Sequence, residues 1–321
     1  FKIKASNDTG FITVKTSLSQ TLKNADLQTK FKVNTEGIGF DFLESSFILN
    51  EKPWNIRKES EIFFGKDNIY SDGFTLYSGN EEIRLQTNPS ETGSHNDLVV
   101  EVRRLELGEL IPFFLTDPRI EGTATGRFDV FNPLGDFLVQ GKMTAEKLII
   151  NNDSIGILPI QTSYDHKKRE LTYRLLSDNL SHNFSIKGKV DISNPDSIYT
   201  DNIIDVSNQS LSIIQPYLEG IISDIKGSAT GILRVSGFVN DLQLTGNIRL
   251  NKTSLLIDYT KCRYELLSGA NIEFRNNLID FGNILIKDSM GRTGSFIGKI
   301  NHRDRKSTRL NSSHSSVSRM P

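Results

Sequence analysis

Apolar and polar residues alternate with a period of two along almost the whole chain, the pattern of strands that bury one face. It is clearest in Phe11-Ile-Thr-Val14, Leu27-Gln-Thr-Lys-Phe31-Lys-Val33, Glu82-Ile-Arg-Leu-Gln-Thr87, Phe184-Ser-Ile-Lys-Gly-Lys-Val-Asp-Ile192, Asn271-Ile-Glu-Phe274 and Ser295-Phe-Ile-Gly-Lys-Ile300. Clusters of Asn, Asp, Gly and Ser separate these runs: Asn34 to Gly39, Tyr70 to Gly73, Asn151 to Ser154 and Arg275 to Asn277. Such clusters predict hairpin turns, and short strands between them predict an all-β antiparallel protein.

Helical periodicity is confined to two short stretches. Leu107, Leu110, Ile111, Phe114 and Leu115 form one amphipathic face, and Leu211, Ile214, Leu218 and Ile222 form the other. Pro112 and Pro216 limit both. After each comes a repeated segment, Gly122-Thr-Ala-Thr-Gly126 and Gly227-Ser-Ala-Thr-Gly231, at an offset of 227 − 122 = 105 residues. The offset returns at the mid-strand glycines Gly141 and Gly246. A spacing kept through helix, turn and strand marks a module used more than once. It predicts β-modules over 1–104, 105–208 and 209–303, with short helices between them and no Pro- or Ser-rich linkers.

A long antiparallel series must bury its apolar face in a sandwich, a closed barrel or a single sheet curled into a trough. Mid-strand glycines at Gly141, Gly188, Gly246 and Gly298 suit curling, because glycine permits bends and close backbone approach. The residues predicted to line the trough are Leu242, Leu244, Ile248, Leu250, Phe274, Phe281, Phe296 and Ile300. The same alternation also serves an ordinary sandwich core, and periodicity alone does not separate the two. An open apolar trough calls for a ligand or partner. Acyl chains suit it: at about 0.8 kcal/mol per buried CH₂, a tail of ~16 carbons gains on the order of 12 kcal/mol.

Composition narrows the function. Apolar residues make up 36% of the chain, below the ~45–50% (glycine included) of typical globular domains, which suits a thin structure. A formal charge of −1 gives no electrostatic footprint for nucleic acid. The single cysteine, Cys262, excludes an intrachain disulfide framework. The chain opens at Phe1 in mid-pattern and reads as a fragment. Residues 304–321 are rich in Ser and Arg, predict disorder and resemble a translated sequencing adapter.

Chemistry-bearing constellations are sparse. His95, His166, His182, His302 and His314 show no metal-binding spacing, so no metal or cofactor is expected. Ser223-Asp-Ile-Lys226 matches a Ser-x-x-Lys pair without its supporting motifs. Asp288-Ser-Met-Gly291 reads as a hairpin turn in preference to a Ca²⁺ loop. No catalytic site is predicted.

The apolar helix with its proline, the strand Ile225-Lys-Gly-Ser-Ala-Thr-Gly-Ile-Leu-Arg-Val-Ser-Gly237 and the Gly-centred strand Leu242-Gln-Leu-Thr-Gly-Asn-Ile248 together resemble the TamB family. Tyr264, Ile279-Asp-Phe281, Asp288 to Gly291 and Gly298-Lys-Ile-Asn-His302 extend the resemblance. It is similar to Bacteroidota-type members approaching the family's C-terminal domain. The resemblance implies a long periplasmic β-groove related in plan to AsmA-like proteins, anchored in the inner membrane by a segment outside this chain. It implies phospholipid transport toward the outer membrane, support of outer-membrane protein assembly, and a BamA-like barrel partner of the TamA type. A scaffold that templates client strands along a sheet edge, or a surface β-solenoid or adhesin, would carry the same strand pattern.

Overall fold

The computed structural model describes residues 2–6, 9–16, 22–49, 51–91, 93, 95–113, 118–218, 220–267, 269–276 and 278–301. Phe114, Leu115, His302, His314 and the tail read at 304–321 lie outside the described residues. The fold is all-β and antiparallel, as the alternation predicts, with 23 strands among the described residues. Helical turns are few: α1 (Leu107–Leu110) runs into the 3-10 turn Ile111–Phe113, and Leu211–Leu218 is a 3-10 helix. Prolines at 112 and 216 remove N–H donors and keep both short. Ile222, placed on the second helical face by its spacing, instead opens a strand. Among the described residues, no helix is long and apolar enough to cross a membrane.

The chain forms two compact units, Phe1–Leu148 with Pro159–Leu171, and Ile149–Leu158 with Thr172–Pro321. These boundaries differ from those of the 105-residue repeat, whose two glycine segments fall one in each unit.

In the first unit β1 (Lys2–Ser6), β2 (Thr9–Thr16) and β3 (Leu22–Val33) make a meander. The following rows are split. β4 (Gly37–Phe42) and β5 (Ser45–Leu49) lie end to end along β3, which pairs Thr29 with Phe42 and Asp26 with Ser46. β6 (Lys52–Ile56) pairs with β5, and β7 (Glu61–Gly65) with β4. β8 (Ile69–Tyr70) follows β7, and β9 (Phe74–Ser78) follows β6. Unsplit strands β10 (Glu81–Pro89), β11 (Asn96–Glu106) and β12 (Ile120–Phe131) come next. Tyr70 to Gly73, expected to be a hairpin, is therefore a joint at which the chain continues in one direction. Asn34 does begin a hairpin: its side-chain oxygen accepts the Glu36 and Gly37 N–H groups, each at 2.9 Å.

Each joint frees backbone groups, and buried hydroxyls take them up. Ser45 Oγ accepts the Gln28 N–H at 2.8 Å, and Ser60 Oγ accepts that of Thr75 at 3.2 Å. Thr87 Oγ1 accepts the Ser71 N–H at 2.9 Å, while Ser71 Oγ donates to the Glu61 carbonyl at 2.8 Å. Ser45, Ser60 and Ser71 are all buried.

β13 (Leu138–Ile150), β14 (Asp153–Asp165) and β15 (Glu170–Asp178) contribute residues to both units. The second unit continues through β16 (Asn183–Asp191), β17 (Tyr199–Ser210), β18 (Ile222–Phe238) and β19 (Asp241–Ile257). β20 (Cys262–Leu266) and β21 (Ala270–Asn276) lie end to end along β19. β22 (Leu278–Asp288) runs along both, and β23 (Thr293–Asn301) pairs with β22.

The repeated glycine segment has the same construction in both copies. β11 shifts register between Val102 and Leu105, and β17 between Val206 and Gln209. Arg104 and Asn208 stand at the bulges with φ of 51° and 63°. Ala124 and Ala229 are buried opposite Leu105 and Gln209. Gly122 and Gly227 have φ of 129° and 115°, and a Cβ there would stand 2.7 and 2.8 Å from the Glu146 and Asn251 carbonyl oxygens. The motif is local architecture.

Candidate functional site

The register of the second unit sorts its side chains into two unlike faces, because residues directly opposite on antiparallel strands leave the same face. One row across the strands runs Ile186, Ile204, Leu233, Gly246, Phe274, Ile279 and Ile300. Beside it runs Phe184, Val206, Gly231, Ile248 and Ile272, whose four side-chain-bearing members are buried. Leu244 stands opposite Val235, Leu250 opposite Ala229, and Leu242 opposite Gly237.

All the predicted trough residues from Leu242 to Leu250, with Phe274 and Ile300, thus share one face. Phe281 lies within the register shift of β22 and Phe296 on β23 beyond it, and the two touch edge to face, with ring centroids 5.8 Å apart. Leu244, Leu250, Phe274 and Phe281 are half-buried, whereas Leu242, Phe296 and Ile300 are 41%, 40% and 46% exposed. Ile186, Ile204, Leu233 and Ile272 stand in the same rows without being among the predicted lining residues. Their alternation was visible, but only the register assigns their parity.

The opposite face carries charged pairs, together with the exposed Ile203 and Ile232. Asp201 accepts two hydrogen bonds from Arg234, both at 2.7 Å, which hold its carboxyl below the usual range. Glu273 pairs with Arg275, and Lys299 with Asp280 at 3.0 Å. Among the described residues, the substantial packing contacts of β16 to β23 are with hydrogen-bonded neighbours, apart from the 3-10 helix Leu211–Leu218 against β18. These strands belong to one continuous antiparallel sheet.

The first unit also has apolar rows, although its buried Val99 and Thr75 lie on the other face. Ile56, Leu76, Ile83, Val102 and Gly126 form one row, and Phe74, Leu85, Val100 and Phe128 form the next. Glu101 and Arg127 face each other on the other side, 3.7 Å apart.

The mid-strand glycines fall into two kinds. Gly246, like Gly231, meets a carbonyl of its neighbour strand, and a Cβ on either would collide with it. Gly126 does the same toward Lys142 O, at 2.7 Å. Gly141, Gly188 and Gly298 are seats for aromatic rings. The rings of Phe128, Tyr173 and Phe296 occupy the space their side chains would need. Tyr173 also donates its hydroxyl to Asn202 Oδ1, and burial pushes its pKa up.

The remaining chemistry-bearing residues are engaged locally. His95 Nε2 lies 3.6 Å from Asp97 Oδ1, and His166 stacks on Phe137 at 4.4 Å between centroids. His182 is buried, its Nδ1 2.7 Å from Gln209 Nε2. Ser223 donates to Asp258 at 2.6 Å and Lys226 pairs with Asp224 at 3.6 Å, so the Ser-x-x-Lys residues are turned to separate partners. Asp288 closes the turn through Gly291, accepting the Met290 and Arg292 N–H groups at 2.9 Å. Among the described residues, no group of three or more His, Cys, Asp or Glu side chains is placed to hold a metal. A comparison with protein-family models, curated proteins and solved structures finds no match to this chain.

Proposed function

We propose that this chain is a non-enzymatic segment of a TamB-like envelope protein whose apolar inner face carries phospholipid acyl chains. The observation that supports it is the apolar row from Ile186 to Ile300 across one face of the sheet, with charged pairs such as Asp201–Arg234 on the other. A sheet that leaves such a face half-buried is stabilised by an apolar occupant. A row without a polar interruption also lets a tail slide from strand to strand with small barriers. On this reading the parent protein stands in the periplasm, anchored in the inner membrane, and meets a BamA-like outer-membrane barrel of the TamA type through parts outside this chain. Outer-membrane protein assembly then follows from the same attachment.

Mass spectrometry of gently purified protein tests the reading directly, with phospholipid expected in stoichiometric amounts. Leu244→Arg and Phe281→Glu should expel it while strand content persists, and Gln243→Arg on the charged face should not. Lipid retained in both inner-face variants sinks the proposal.

A further inference from the structure

The second unit carries, at one end, a cleft and two protruding side chains that the apolar rows do not use. Ile257 pairs with Cys262 across the turn from β19 to β20, and Lys287 with Thr293 across the turn from β22 to β23. Tyr264 pairs with Asp288 between the two hairpins, so both turns project from the same end of adjacent strands. At their tips stand Tyr259, 95% exposed, and Met290, 77% exposed. Beside them opens a cleft of about 660 Å³ lined by Lys252, Arg263, Glu265 and Lys287, with Ser254 and Ser289.

Ser254, Glu265 and Lys287 are directly opposite one another on three strands and share a face. Arg263 is committed to Asp224, and Asp288 to Arg292. Among the described residues Lys252 and Lys287 have no ion-pair partner, which leaves two free ammonium groups against one carboxylate, Glu265. Isolated apolar tips flanking a cationic cleft suit a bilayer surface better than a flat protein epitope. Tyrosine favours the headgroup level, and lysines are drawn to anionic lipid.

We propose that this end of the second unit docks on a phospholipid bilayer. Lys252 and Lys287 bind a headgroup phosphate in the cleft, and Tyr259 and Met290 enter the boundary between headgroups and acyl chains. The assignment deepens the lipid-carrying reading and rests on it for the class of ligand.

Flotation of the full chain with vesicles of phosphatidylcholine, with and without phosphatidylglycerol, tests it. The chain should float with the anionic vesicles, and added salt should weaken the association. Tyr259→Glu combined with Met290→Glu, and separately Lys252→Glu combined with Lys287→Glu, should each lower the bound fraction by about tenfold with circular dichroism unchanged. A wild-type chain that stays at the bottom of the gradient, or variants that float like wild type, overturns the docking. Wild-type sedimentation with a bound protein in place of vesicles would assign the tips to a protein partner. Co-purified acyl chains report the inner face separately and should be unchanged in both rim variants. Either reading can therefore fail while the other stands.

Discussion

Thr125 Oγ1 accepts the backbone N–H of Arg104 at 3.0 Å, and Thr230 Oγ1 accepts that of Asn208 at 3.1 Å in the second copy of the motif. In both, a bulge turns one strand's N–H out of the ladder and a threonine on the next strand restores its partner. The threonine of Gly-x-Ala-Thr-Gly is thus fixed by a backbone group on a different strand. The flanking glycines are fixed by carbonyl approach, and the alanine between them is buried.

Thr125→Val and Thr230→Val keep the shape but remove the acceptor. Each is expected to destabilise by about 1 kcal/mol, because these N–H groups lie near enough to solvent for water to compensate in part. Thr125→Ser should cost less than Thr125→Val in urea melts. Equal costs for the two would show that the hydroxyl is incidental.

Gly231→Ala should be among the most damaging single-atom-scale changes in the chain. The new Cβ meets the Asn247 carbonyl, and a φ of 154° is one L-residues rarely adopt. A loss of roughly 2–3 kcal/mol is expected. Gly79→Ala, at φ 58° with open space around it, should cost about 1 kcal/mol. Thermal denaturation of the pair gives the contrast, and the steric account fails if the two melt together.

Lys52 links three elements, pairing with buried Glu81 on β10 and, at 3.0 Å, with Glu109 on α1. Burial works against its charge, but the two carboxylates outweigh it and raise its pKa. Lys52→Met leaves Glu81 buried without its cation, an expected loss of about 3 kcal/mol. Lys52→Met with Glu81→Gln should recover much of that in a double-mutant cycle, whereas strict additivity would mean the ion pair contributes nothing.

Burial lowers the pKa of His182 from 6.5, with the Asp153 charge opposing weakly. The unfolded chain therefore takes up a proton at a higher pH than the folded one. The resulting stability is fully present above about 6.5 and is lost as pH falls through the lower folded value. The carboxylates held down by arginines, Asp201 and Asp224, act in a separate window, with stability lost only as pH drops below about 4. Melts of wild type and His182→Leu between about pH 8 and 5 should converge or cross toward acid. Parallel curves would remove His182 from the account.

Strand content was legible in the sequence because a period of two follows from the pleat itself. The splitting of rows was not. Tyr70 to Gly73 and Asn34 to Gly39 both carry polar turn formers and glycine, yet only the second reverses the chain. Turn chemistry reports a local change of direction, and whether the next strand folds back or continues depends on distant pairing, β7 with β8 against β6 with β9. The glycines divide similarly. At Gly231 and Gly246 carbonyl approach from the neighbour strand agrees with the expected close contact, whereas Gly141 and Gly298 are small because Phe128 and Phe296 lie over them. No local pattern announces a ring that arrives from elsewhere.

The sequence by itself determined that the chain is antiparallel sheet, that a 105-residue spacing recurs, and that Leu244, Ile248 and Leu250 leave one side of their strand. These follow from backbone geometry that each residue carries alone. The tertiary structure decided which strands stand side by side, and so that Ile186, Ile204, Leu233, Phe274, Ile279 and Ile300 fall in one apolar row with arginines and aspartates behind it. Alternation sets the faces of a strand, but register sets the faces of a sheet. A shift of one residue anywhere along the series would have mixed the two.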